Sequence, residues 1–108
     1  MYVVDQWNEK HFDGVSVSIF LPMELTRDAR REKFDYPLNE ALQTLNLGLV
    51  QFAGMIPGKN REKGKWTLEA IVSDFTLALP TIQSTLKSCN APRKTVIRTE
   101  GKKIILHP

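Results

Sequence analysis

Apolar and polar residues alternate with period two over residues 15–21 (VSVSIFL), which puts Val15, Val17, Ile19 and Leu21 on one face of a half-buried strand. Pro22 has no N–H to give to a ladder and is expected to end it. Beyond it the period lengthens. Leu38, Ala41, Leu42 and Leu45 recur at i, i+3, i+4 and i+7, the stripe of an amphipathic helix over residues 35–45. Asp35 is expected as its N-cap, with Pro37 in the first turn and Gly48 as the stop.

Residues 49–56 form a second expected strand, with Gly54 as a bulge. Residues 57–64 are a polar, glycine-bounded turn. Residues 66–73 follow as a third strand with Trp66, Leu68, Ala70 and Val72 on one face, so the two strands should make an antiparallel hairpin. Leu79, Ile82, Leu86 and Cys89 mark a second helix over 76–89. Pro80 is expected in its first turn or just before it, since an interior proline costs about 3 kcal/mol. Asn90 and Pro92 stop that helix, and residues 95–99 and 103–106 make a terminal hairpin through Glu100-Gly101-Lys102. Residues 1–14 are read as an edge strand, around 2–4, or an arm.

The order is then β-α-β-β-α-β with an extra C-terminal strand. An α+β fold of the ferredoxin-like, split β-α-β kind satisfies it: an antiparallel sheet with two helices on one face. One domain is expected over residues 1–108, because a chain of this length makes a single modest core.

The hydrophobic share, 42%, and charged share, 25%, are those of a globular chain, which disfavours disorder. No apolar run approaches the roughly 20 residues that cross a bilayer. The first residues, MYVVDQWNEKH, lack the basic start and apolar stretch of a signal peptide. A lone cysteine, Cys89, excludes an intramolecular disulfide framework. A cytoplasmic protein is the expectation, with no membrane partner.

Candidate chemistry is sparse. Two histidines, His11 and His107, and one cysteine give no zinc-ligand spacing, so neither metal nor cofactor is expected. Cys89 falls on a helix stripe and reads as a small buried hydrophobe rather than a nucleophile. His11 and His107 lie near the termini, where a preorganised acid–base pair is hard to build. Gly58 to Gly64 has five residues between its glycines, followed by Lys65 and Trp66, and joins two strands. A Walker loop needs four, then Lys and Ser/Thr, opening a helix. On the expected outward face of the sheet only Phe20 could stack a base beside Thr67, Glu69 and Ile71, so an RNA-recognition signature is missing.

Charge is unevenly placed. Residues 1–54 carry five Lys/Arg and eight Asp/Glu, net −3, while residues 55–108 carry ten and four, net +6. Lys59, Arg61, Lys63 and Lys65 crowd the hairpin tip, and Arg27, Arg30 and Arg31 crowd the connection before the first helix. That connection interleaves Asp28 and Glu32, so a short self-paired, solvated helix fits it as well. Loops held by a rigid scaffold are where binding residues gather, and cations there steer acidic partners. The expectation is a non-enzymatic protein-binding domain. Its most concrete form is a small bacterial-type immunity, antitoxin or regulatory protein that caps a functional surface of an acidic protein partner. The alternatives are a nucleic-acid-binding module using the basic hairpin and C-terminal half, and a small-molecule-binding or enzymatic ferredoxin-like oligomer.

Overall fold

The computed structural model describes residues 3–7, 13–57 and 63–106. The strands are β1 (Val3–Gln6), β2 (Val15–Leu25), β3 (Gly48–Pro57), β4 (Gly64–Val72), β5 (Val96–Thr99) and β6 (Lys102–Ile105). Between β2 and β3 runs a helical stretch made of α1 (Arg27–Arg30), a π-helical turn (Arg31–Asp35) and α2 (Tyr36–Thr44); α3 (Phe75–Ser88) joins β4 to β5. The strands form one sheet in the order β1-β3-β4-β2-β5-β6, every neighbouring pair antiparallel. The chain is α+β, as its hydrophobic periods indicate.

One face of that sheet makes the core. Val17, Ile19 and Leu21 of β2 and Trp66, Leu68, Ala70 and Val72 of β4 are buried, and they share one cluster with Leu38 and Leu42 of α2 and Ala78, Ile82 and Leu86 of α3. Both helices therefore lie on the same side. Truncating one of these large side chains to alanine costs about 2–5 kcal/mol in comparable cores.

Several expected boundaries move, each for a local reason. β2 does not stop at Pro22: it continues to Leu25 across an irregularity between Leu21 and Glu24, where proline's missing N–H is tolerated. The β3 bulge sits between Val50 and Phe52 rather than at Gly54, and the Asn39 side chain of α2 accepts the Val50 N–H there at 2.9 Å. Asp35 is no N-cap. Its backbone is helical, it makes no capping bond, and the helix begins eight residues earlier with Thr26 accepting the Ala29 N–H.

Asn46, not Gly48, ends α2. It adopts φ 55° while Leu47 N–H reaches back to the Leu42 carbonyl, a Schellman stop that Asn90 (φ 59°) and Ala91 repeat after α3. α3 begins at Phe75, capped by Asp74, so Pro80 is inside the helix on its exposed side, where water can meet the carbonyl it leaves unpaired. Cys89 is the half-buried C-cap against the core, and burial raises its thiol pKa.

Candidate binding cleft and the charge cluster behind it

A cleft of about 530 Å³ opens at one end of the sheet. β1 supplies Val3, Val4 and Asp5, β3 and β4 supply Met55 and Trp66, and the start of the first helix supplies Thr26, Arg27 and Asp28. Two strand pairings bring these together. Leu25 lies opposite Gly64 and Glu24 opposite Lys65, so the base of the β3–β4 hairpin sits beside the residues that lead into Thr26 and Arg27.

Behind the cleft is a cluster of two arginines and two aspartates. Arg30 is wholly buried. Its Nε donates to Asp35 Oδ2 at 2.9 Å, its Nη2 donates to the same oxygen at 2.6 Å and also to Asp5, and its guanidinium lies 4.2 Å from the Trp66 ring centroid. Arg31 donates from Nε to Asp5 Oδ2 at 2.8 Å and from Nη2 to Asp5 Oδ1. Trp7 Nε1 donates to Asp35 Oδ2 at 2.7 Å, with its ring edge-on to Tyr36 at 5.1 Å. Two positive and two negative charges cancel, which is what allows ions to sit in a core.

The π turn makes this geometry. In a regular α-helix five residues rotate a side chain by roughly 140°, which would aim Asp35 away from Arg30. Widening to i→i+5 bonds, seen where Tyr36 N–H meets the Arg31 carbonyl, aligns the two and points both inward.

Burial pushes the Asp5 carboxyl up, but hydrogen bonds from Arg31 and Arg30 and their charges outweigh it, and its pKa falls below the usual carboxylate range. For Asp35, burial prevails over the bonds from Arg30 and Trp7, and the nearby Asp5 charge pushes the same way, so its pKa is raised. One arginine nitrogen, Arg30 Nη1, is buried without a hydrogen-bond partner among the described residues.

The sequence-derived cations divide accordingly. Lys63, Lys65 and Arg27 are exposed and gather at the cleft end. Arg31 is half-buried and held by Asp5, and Arg30 has no exposed surface. Lys59, Arg61, His11 and His107 lie outside the described residues. Sequence reasoning missed Asp5, Trp7 and Trp66 as partners of the arginines. The one local signal was the five-residue spacing of Arg30 and Asp35; Asp5 is 25 residues away in the chain.

Among the described residues no group of three His, Cys, Asp or Glu could hold a metal ion, and no helix is long and apolar enough to cross a membrane. Set against protein-family models, curated proteins and solved structures, the chain finds no match.

Proposed function

We propose that this is a non-enzymatic protein-binding domain that receives an acidic segment of a partner protein at the cleft end of the sheet. The observation that carries the reading is the exposure of Arg27, Lys63 and Lys65 at the end of the sheet where the cleft opens, with Arg27 on its lining and none of the three ion-paired to a neighbouring element among the described residues. Exposed cations beside a concavity suit recognition and steering better than chemistry, since the charged groups behind it are tied into a structural cluster. A small immunity, antitoxin or regulatory protein is the concrete form of such a module. We also infer a ferredoxin-like arrangement: β4 lies between β2 and β3, β2 lies between β4 and β5, and a helix crosses each gap, with β1 and β6 added at the edges. That fold hosts many functions and selects none.

The test is photo-crosslinking in the native host from residue 65, followed by identification of the adduct and kinetics with the purified partner. Replacing Arg27, Lys63 and Lys65 with Ser should slow association at least about tenfold at low salt, with the gap closing near 0.5 M, where screening acts over only a few ångströms. Unchanged association at low salt, or an adduct that is nucleic acid, overturns the reading.

A further inference from the structure

The helices cover one face of the sheet. No described element packs on the other. Two cross-strand rows on that open face can be followed across all six strands. One row runs Val4, Gly54, Thr67, Phe20, Val96 and Ile105 from β1 to β6 and is mostly apolar. The next runs Gln6, Phe52, Glu69, Ser18, Arg98 and Lys103 and is mostly polar.

Three features of these rows are unfavourable in an isolated chain. Val4 and Ile105 show 54 and 41% of their surface to water, with Phe20 and Phe52 half-exposed between them. Arg98 and Lys103 are exposed and sit directly opposite each other, a like-charge pair that weakens a ladder, and neither makes an ion pair among the described residues. Glu69 is half-buried, and its hydrogen-bond donors are Ser18 Oγ, at 2.7 and 2.9 Å from its two oxygens, and Ser16, with no cation among the described residues paired to it.

One operation relieves both charged features and covers Phe20, Phe52 and Ile105, though not Val4 on the outermost strand. We propose that the open face is a homodimer interface, with two copies stacked face to face about a twofold axis running along β2. Glu69 on β4 and Arg98 on β5 lie one strand to either side of β2 in the same row, so the axis sets Glu69 of each copy against Arg98 of the other. Phe52 on β3 and Lys103 on β6 lie two strands to either side, and the axis sets that ring against that ammonium, a cation–π pair. In the apolar row Phe20 lies on the axis and meets its own copy, while Gly54 meets Ile105, the absent side chain of one making room for the bulk of the other. A hollow of about 300 Å³ beside Phe20, between Ser18, Thr67, Val96 and Arg98, gives the second Phe20 room.

The contact is isologous and closes at two copies. Aligned sheets pack about 10 Å apart at roughly 30°, which only tilts the axis slightly from β2. The five overlapping strands, β3-β4-β2-β5-β6, about 4.8 Å apart, and two rows of outward residues about 6.6 Å apart give a footprint roughly 19 by 13 Å, a contact smaller than the about 800 Å² per partner of a standard interface, in the range of weaker, reversible pairs. The cleft reading is not needed for any of this.

The decisive experiment uses the full chain and two charge reversals, Glu69→Arg and Arg98→Glu, in sedimentation equilibrium. The unmodified chain should dimerise by about 50 µM, and each variant alone, now facing two like-charge pairs, should dimerise at least about thirtyfold more weakly. Mixed in equal amounts the two variants should form a heterodimer of near-original affinity, because both cross-axis pairs become Arg–Glu again. No contact within one chain can produce that rescue. Circular dichroism on each variant checks that it is folded, and Phe20→Lys gives a second disruption that leaves the charge pairs alone. An unmodified chain that stays monomeric at about 200 µM overturns the proposal, as does a mixture that fails to associate. A monomer that instead retains single-stranded RNA through Phe20 and Phe52 overturns it in favour of nucleic-acid binding.

Discussion

Arg30 gives its guanidinium to two carboxylates and the face of an indole, and no part of it reaches water. A cation in that position stabilises only while its partners stay. Arg30→Met would keep the side-chain volume but leave Asp35 buried with Trp7 Nε1 as its remaining donor among the described residues, so it should cost about 3–5 kcal/mol in urea unfolding. Arg30→Met combined with Asp35→Leu removes the stranded charge along with the cation. That pair should be more stable than Arg30→Met alone, because an apolar substitute for an ion pair is often close to neutral. A single-variant cost below about 1 kcal/mol would show that water reaches the cluster and screens its charges.

At the scale of elements, the least self-sufficient piece is β1. It is a four-residue edge strand, too short to hold itself by backbone bonds alone. Asp5 fastens it to Arg30 and Arg31, and the residue that follows it, Trp7, fastens it to Asp35 and Tyr36. Asp5→Asn should therefore loosen β1 selectively. Amide hydrogen exchange of residues 3–6 is expected to quicken by about thirtyfold, while the amides of β4, flanked on both sides, keep their protection. Equal acceleration throughout the sheet would mean that β1 and the core open together. This attachment also marks where the sequence stops being readable. The inward faces of β2 and β4 and the stripe of α2 follow directly from period two and period 3.6, since their burial needs nothing beyond a neighbour on the correct side. Asp35 resembles an N-cap in sequence, because a short acid before Tyr-Pro fits that role, and only a widened turn that brings Arg30 to it and an indole 28 residues upstream, Trp7, make it a buried ion instead. Phe52 was hidden for a similar reason. Val50 faces the core, so strict alternation sends Phe52 inward too, until the bulge at Gln51, held by Asn39, turns it out to the open face. Arg98 and Lys103 were visible as charges, but their meaning depends on registers that pair residues far apart in the chain.

Over the whole molecule, stability should respond to pH through groups that act with opposite sign. The pKa of Asp5 is depressed in the fold, so the stability it contributes is present above its ordinary value of about 3.9 and disappears as pH falls through the folded value. Glu69 is the reverse case. Burial raises its pKa against the hydrogen bonds from Ser18 and Ser16, so the unfolded chain ionises first. Its contribution is complete below about pH 4.3 and is lost as pH rises through the folded value. Glu69→Gln cannot ionise and should escape that loss. In urea midpoints taken from pH 4 to 7, the variant should gain on the unmodified chain as pH rises, with the gain levelling once Glu69 is fully ionised. The series must be run dilute, where copies are apart. At concentrations that favour stacking, Arg98 of the second copy stands against Glu69, and opposite charge lowers a carboxyl pKa. The gain should then shrink or vanish as protein concentration increases. A midpoint difference that is flat with pH in dilute protein would mean that Glu69 is solvated on the open face. A pH-dependent difference that is indifferent to concentration would mean that nothing cationic comes to meet it there.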